Sequence, residues 1–293
     1  MPIEPTVDPH AILKTLGISD ATTITPVQGG TDTALWQVVC GADHYALRLF
    51  RSEQMATYRR ELVAMQLASQ AQLPVPMLHA TAIWQDRPVM LLAWRKGKPL
   101  AEILVKEPWR IWSLGKSFGR MQARIHTVAA ASLGDGLDAD WISWAGGDDA
   151  LHKRLRAAAS ATPRLLHLDY HPLNVLAEGS TITAVLDWAN ARVGDPRADV
   201  ARTYTILRVE PYNLGLPPWL IGTIRRMLAW SWQRGYAEVA GTLNNMPPFY
   251  AWAGTLMQRE VARRVADPTS WWQAEHLQQV QKWTAQWKTN GEL

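Results

Sequence analysis

The spacing of apolar residues predicts two kinds of structure along this chain, strands first and helices later. Asp8-Pro9, followed by Ile12, Leu13 and Leu16, predicts a short helix capped by the Asp side chain and ended at Gly17. The pattern then shortens to strands over residues 22–27, 35–40 and 45–50, with Gly41-Ala42-Asp43 as a hairpin turn and Gln28 to Thr33 joining the first two. Met55, Tyr58, Leu62 and Met65 recur at helical spacing up to the breaker Leu73-Pro74-Val75-Pro76. Two more strands, 77–84 and 89–94, lead to Lys96-Gly97-Lys98-Pro99, where the pattern breaks. This places a first lobe at residues 1–95 and a second at 96–293. In the second, Ile111, Leu114, Phe118, Met121 and Ile125 predict a long helix reaching about Thr127, and the Gly- and Asp-rich passage 134–149 reads as loop. Short strands follow at 164–168, 175–178 and 181–186. Everything after Pro196 reads as helix, with apolar stripes at Leu220, Ile224, Met227 and Trp230 and at Trp272, His276, Val280, Trp283 and Trp287.

Composition narrows the class. A chain of 293 residues, 47% hydrophobic and 19% charged, is globular and long enough for two lobes sharing a cleft. Its single cysteine, Cys40, makes no internal disulfide and no cysteine-based zinc cluster, so a cytoplasmic location is expected. Apolar runs such as Val89 to Trp94 are too short to span a membrane, and Met1 to Asp8 lacks a signal pattern. The net charge is +4, but the 30 Lys and Arg are dispersed, which does not imply nucleic acid. Sixteen Trp against three Phe are read mostly as core filling. A monomer or homodimer is expected.

Candidate chemistry concentrates in His167-Leu168-Asp169-Tyr170-His171-Pro172-Leu173-Asn174, followed by Leu186-Asp187-Trp188. Two carboxylates and one amide around a short hairpin suit phosphoryl transfer. One carboxylate, Asp169, would orient and deprotonate an attacking hydroxyl, and Asn174 and Asp187 would give oxygen ligands to magnesium. The same stretch also admits a metal site at His167, Asp169 and His171, because alternate residues of a strand share a face. His167 is expected to bond the loop backbone.

These motifs resemble the aminoglycoside phosphotransferase and choline kinase-like family. His167 to Asn174 matches its His-x-Asp-x-x-x-x-Asn loop, Leu186-Asp187-Trp188 its metal-binding strand end, and Gly194-Asp195-Pro196 the motif that follows. The resemblance implies an α+β, two-lobed protein-kinase-like fold, with an antiparallel-sheet N-lobe carrying one main helix and a mostly helical C-lobe. It implies Asp169 as catalytic base, Asn174 and Asp187 as magnesium ligands, and Asp199 as an anchor of the loop backbone. Upstream it places Gly29, Gly30 and Thr31 in the nucleotide turn, Arg48 as the basic residue of the third strand, and Glu61 as its partner. Arg48 departs from the family's Lys and changes the geometry of a phosphate contact. Ala93, Trp94 and Arg95 would meet the adenine. Among the tryptophans, Trp94 and Trp188 are the better candidates for lining a pocket, and Asp195 is expected to cap the helix starting at Pro196.

The implied activity is a magnesium-dependent transfer from ATP or GTP to a hydroxyl of an aminoglycoside, another antibiotic, an amino alcohol or a sugar. From Ala201 onward ten basic residues face six acidic ones, which favours a neutral, singly cationic or anionic acceptor. Two alternatives remain open at this point: a nucleotide-binding regulatory protein on the same fold, and a metallohydrolase using His167, Asp169 and His171.

Overall fold

The computed structural model describes residues 7–27, 33–130, 140–147, 149–160, 162–209 and 218–289. The predicted nucleotide turn, with Gly29, Gly30 and Thr31, lies outside the described residues.

A short helix, α1 (Pro9–Thr15), is capped by Asp8, whose side chain accepts the His10 N–H at 2.9 Å. Strands β1 (Thr23–Pro26), β2 (Ala34–Cys40) and β3 (Asp43–Leu49) follow, then α2 (Met55–Gln70), β4 (Leu78–Trp84) and β5 (Arg87–Ala93). The five strands form one antiparallel sheet in the order β1-β2-β3-β5-β4. Period-two alternation sorts its faces. Leu47, Leu49, Val89 and Leu91 pack outward under α1 with Ile12, Leu13, Trp36 and Val38. Phe50, Met90 and Leu92 join the opposite core, which continues through Tyr58, Met65 and Leu100 into the helical part at Phe118, Tyr170 and Trp188. Arg48 pairs with Met90 across the strands and belongs to this inner side, a basic residue in an apolar face.

The junction is a two-residue strand, β6 (Lys98–Pro99), followed by α3 (Leu100–Lys106). Gly97 has φ +114°, and a Cβ there would come within 2.6 Å of Thr183 Oγ1 and 3.0 Å of Ala177 O, so only glycine fits the chain so close to the hairpin below. That hairpin is β8 (Val175–Glu178) and β9 (Thr181–Val185). Between α3 and it run α4 (Ile111–Ile125), α5 (Trp141–Trp144), α6 (Asp149–Ala158) and β7 (Arg164–Leu166). After it come β10 (Arg192–Gly194), which pairs with β7, and the helices α7 (Pro196–Val209), α8 (Pro218–Ala240), α9 (Pro247–Ala266) and α10 (Ala274–Thr289). The α+β class with an N-terminal antiparallel sheet and a helical C-terminal part is therefore as expected.

Several expectations are corrected. Helix α5 lies in the stretch read as loop, and α3 and α6 occupy stretches for which no element was predicted; the buried residues of α6 are Leu151 and Leu155, one turn apart, too thin a stripe to stand out. Strand β7 stops at Leu166 rather than Leu168, because Leu168 turns to φ +59°. On α8 the predicted stripe is displaced. Met227 and Trp230 are 48% and 62% exposed, while Leu228, Ser231, Trp232 and Tyr236 are buried. The reason is the partner helix: Gly115 and Gly119 of α4 let the α8 backbone approach so closely that a Cβ on Gly119 would meet Trp232 O and Tyr236 N. Small residues therefore choose the contact face over large ones. Tryptophan is mostly core filler, as expected: Trp36, Trp141, Trp188, Trp232 and Trp252 are buried and Trp84, Trp144, Trp272, Trp283 and Trp287 pack against core clusters, while Trp94, Trp109, Trp112, Trp219, Trp230 and Trp271 are exposed.

Candidate active site

Asp169, Asn174 and Asp187 come together because a buried carboxylate shapes the loop that carries the first. Asp199, fully buried in the first turn of α7, accepts the Leu168 N–H at 2.7 Å through Oδ1 and the His167 N–H at 3.1 Å through Oδ2. His126 Nε2 lies 2.9 Å from the same Oδ2, and His126 Nδ1 lies 2.8 Å from Tyr236 Oη. Burial alone would raise the Asp199 pKa; its contacts with His126 and with the His167 N–H outweigh it and hold the carboxyl low. This is the anchoring role expected of Asp199. A chain of buried polar groups holds the loop further on: Trp232 Nε1 donates to Gln122, Gln122 Nε2 to Thr203 Oγ1, and Thr203 Oγ1 to Tyr170 O.

His167 has both ring nitrogens committed to backbone. Nδ1 accepts the Asp169 N–H at 3.2 Å and Nε2 donates to Leu186 O at 3.0 Å, so it ties the loop to the strand end that carries Asp187. Burial lowers its pKa and keeps it neutral. These bonds leave no lone pair for a metal, and among the described residues no group of three His, Cys, Asp or Glu side chains is placed to hold one. The metallohydrolase reading is overturned on this ground.

Asp169 keeps a partly exposed carboxylate, with His171 Nε2 3.7 Å from Oδ2. Burial pushes its pKa up, but His171 and then Arg202 pull it well below the ordinary carboxylate range. Asn174 donates from Nδ2 to Asp169 O at 3.0 Å and to Asp169 Oδ2 at 3.3 Å, which leaves its Oδ1 as an acceptor. Asp187 stands at φ +59°, and its carboxylate accepts no hydrogen bond among the described residues. One amide oxygen and one open carboxylate are the hard oxygen donors that magnesium takes.

Across the sheet, Arg48 Nη1 pairs with Glu61 Oε1 at 2.5 Å, as expected. Burial opposes both charges. For Arg48 the neighbouring Glu61 and Asp187 prevail and raise the pKa, whereas for Glu61 burial prevails over Arg48 and raises it. Asp187 thus lies within electrostatic reach of the pair. At the junction, Ala93 N–H donates to Met77 O and Trp94 N–H to His44 O, both at 2.8 Å, so these two N–H groups belong to the sheet. The Arg95 side chain donates to Thr183 O from Nε and Nη2 at 3.2 and 2.7 Å and clamps the sheet to β9. Trp188 is fully buried, with Nε1 bonded to Val185 O. Asp195 accepts the Arg197 N–H at 2.9 Å and caps α7 as expected.

Sequence reasoning missed Arg202, which donates to Leu168 O, pairs with Glu260 at 2.5 Å and helps depress the Asp169 pKa. Its signal was its place three residues after Asp199 on one helix face. His126 was also missed, since a lone His at a helix end carries no motif.

The chain was compared with known proteins. The phosphotransferase enzyme family matches residues 23–242. No protein of curated function matches in sequence. Among solved structures, the amicoumacin kinase hAmiN in complex with AMP-PNP, Ca2+ and Ami superposes with a TM-score of 0.68 at 12% identity, over 97% of this chain and 94% of that one. A thermostable mutant of aminoglycoside phosphotransferase APH(4)-Ia, in a ternary complex with AMP-PNP and hygromycin B, gives 0.66 at 18%, over 94% and 96%. Macrolide 2'-phosphotransferase MphH from Brachybacterium faecium gives 0.56 at 19%, over 94% and 98%. With the family match spanning most of the chain and the loop, strand end and ion pair arranged as described, this chain belongs to the phosphotransferase enzyme family and is a small-molecule phosphotransferase.

Proposed function

We propose that the protein transfers the γ-phosphate of ATP or GTP, with Mg2+, to a hydroxyl of a small molecule. The observation that carries this reading is the Asp169 carboxylate, ionised at neutral pH and fixed by Asn174 beside the open carboxylate of Asp187. Asp169 orients the acceptor hydroxyl and takes its proton as the new O–P bond forms. Asn174 Oδ1 and Asp187 would hold the metal, whose charge neutralises the phosphate oxygens when it is bound. Arg48, fixed by Glu61, presents its guanidinium to phosphate oxygens. Gly29, Gly30 and Thr31 would close over the phosphates. An adenine at residues 93–95 would meet carbonyls or the chain from Arg95 onward, since the Ala93 and Trp94 N–H groups are in use. The nucleotide lobe is residues 1–95 and the catalytic and acceptor lobe 96–293, clamped by Arg95 and Thr183.

Arg48 in place of Lys favours one second reading, a nucleotide-binding regulatory protein of weak activity. ADP release with Mg-ATP or Mg-GTP, measured across aminoglycosides, macrolides, choline, ethanolamine and sugars, separates the two. The phosphotransferase gives acceptor-dependent ADP release that Asp169→Asn removes while nucleotide still binds. Nucleotide binding with no acceptor-dependent release would support the regulatory reading.

A further inference from the structure

Two cations grip the chain directly after Trp188. Arg60 of α2 donates Nε–H to Ala189 O at 2.9 Å, and Arg192 of β10 donates through Nη1 to Asn190 O at 3.0 Å and Ala191 O at 3.3 Å. Three successive carbonyls are thus bound by two guanidinium groups. Arg192 also lies over the Trp144 ring at 4.2 Å. It is only 5% exposed, and its buried Nε has no hydrogen-bond partner.

Neither guanidinium has a carboxylate at ion-pairing distance among the described residues. Arg48, Arg197 and Arg202 by contrast are ion-paired, with Glu61, Asp195 and Glu260, whereas Arg95, like this pair, donates to a backbone carbonyl. Burial, and then the charge of Arg60, bring the Arg192 pKa down to about 10, and burial lowers that of Arg60 despite Glu61. Two neighbouring cations with no ion-pair partner in a largely buried place are unfavourable for the empty protein and favourable for one that receives an anion.

The position bears on the reaction. Ala189 is two residues past Asp187, and Arg192 pairs across β10 and β7 with Leu166, three residues before Asp169. We propose that Arg60 and Arg192 form a subsite for an oxyanion group, phosphate or carboxylate, carried by the acceptor. The proposal rests on the phosphotransferase reading and names its acceptor class: a hydroxylated acid or phosphate ester rather than a polycationic sugar. Arg60, the more exposed of the two, is the side from which an anion would reach the pair.

The test uses the full chain, Arg60→Gln and Arg192→Met. Inorganic phosphate is titrated calorimetrically into protein saturated with Mg-ADP, so that the nucleotide site is filled. Wild type should bind it, and both variants should bind about tenfold or more weakly. Acceptor pairs differing in one oxyanion then distinguish the source: serine against ethanolamine for carboxylate, glycerol phosphate against glycerol for phosphate. The anionic member should have the lower KM, and that advantage should vanish in the variants with the nucleotide KM unchanged. Without anion, Arg192→Met should melt at or above the wild-type temperature, which loss of a purely structural arginine would not give. Equal phosphate binding by wild type and both variants would overturn the subsite. Failure of Mg-ADP to bind would instead overturn the phosphotransferase reading, and phosphate titrated into the unliganded protein would still decide the subsite.

Discussion

Replacing Asp199 by Asn probes how the catalytic loop is held. The carboxylate satisfies two buried backbone donors, Leu168 N–H at 2.7 Å and His167 N–H at 3.1 Å, and faces His126 at 2.9 Å. An amide has one oxygen. Whichever way it turns, its NH2 confronts at least one of these N–H groups, which is left buried without an acceptor at a cost of about 1–3 kcal/mol. Hydrogen bonds to a charged group, each about 1.5–3 kcal/mol, become neutral ones. Together the loss is roughly 3–5 kcal/mol, a large part of the about 5–15 kcal/mol that holds a folded protein together. For a chain of this size it should lower Tm by roughly 5–10 °C. Because Asp169 follows Leu168 directly, the loosened loop should also displace the base, and a displacement of about 1 Å costs on the order of a hundredfold in kcat. Differential scanning calorimetry and acceptor-dependent ADP release check both effects. Unchanged Tm and kcat would refute the view that Asp199 holds this loop.

Arg48→Met leaves the buried Glu61 without its cation and should cost about 3–5 kcal/mol in denaturant unfolding. Adding Glu61→Leu should recover much of that stability but none of the activity; recovered activity would show that the pair acts only in folding. Gly119→Ala drives a methyl group into the α8 backbone and should destabilise by about 1–3 kcal/mol or more with nucleotide affinity intact, and a neutral effect would contradict the close α4–α8 contact. Asp169 and Asp199 have depressed folded pKa values, so their stabilisation is present above about pH 4, the unfolded carboxyl value, and is lost as pH falls through the folded ones. His167, also depressed, resists the proton that the unfolded chain binds near pH 6.5, so stability should begin to fall below about pH 6.5 and fall faster below about pH 4. A melting temperature that rises on acidification from neutrality would contradict these assignments.

Much of the site was legible in the sequence because it is local. His167 to Asn174 and Leu186 to Trp188 are short runs in which polar residues interrupt an apolar background, and the backbone brings them together through one hairpin. The Arg48–Glu61 pair, thirteen residues apart, was legible only through the order of elements. What stayed hidden depends on contacts distant in sequence. His126 meets Asp199 across 73 residues, and Arg202 meets Glu260 across 58. The face α8 buries was misread because Gly115 and Gly119 on another helix decide it. Trp188 next to Asp187 suggested a pocket wall, yet it packs 4.6 Å from the His167 ring as core.

The most direct measurement of the central claim is to follow where the phosphoryl group goes. Protein incubated with Mg-ATP or Mg-GTP and the acceptor that most stimulates ADP release is separated from its products, and the acceptor is examined by mass spectrometry and phosphorus NMR. The account predicts an acceptor that has gained one phosphate ester on a hydroxyl, in step with the ADP formed, and no such product from Asp169→Asn. Inorganic phosphate formed in step with ADP, with the acceptor unmodified, would contradict it.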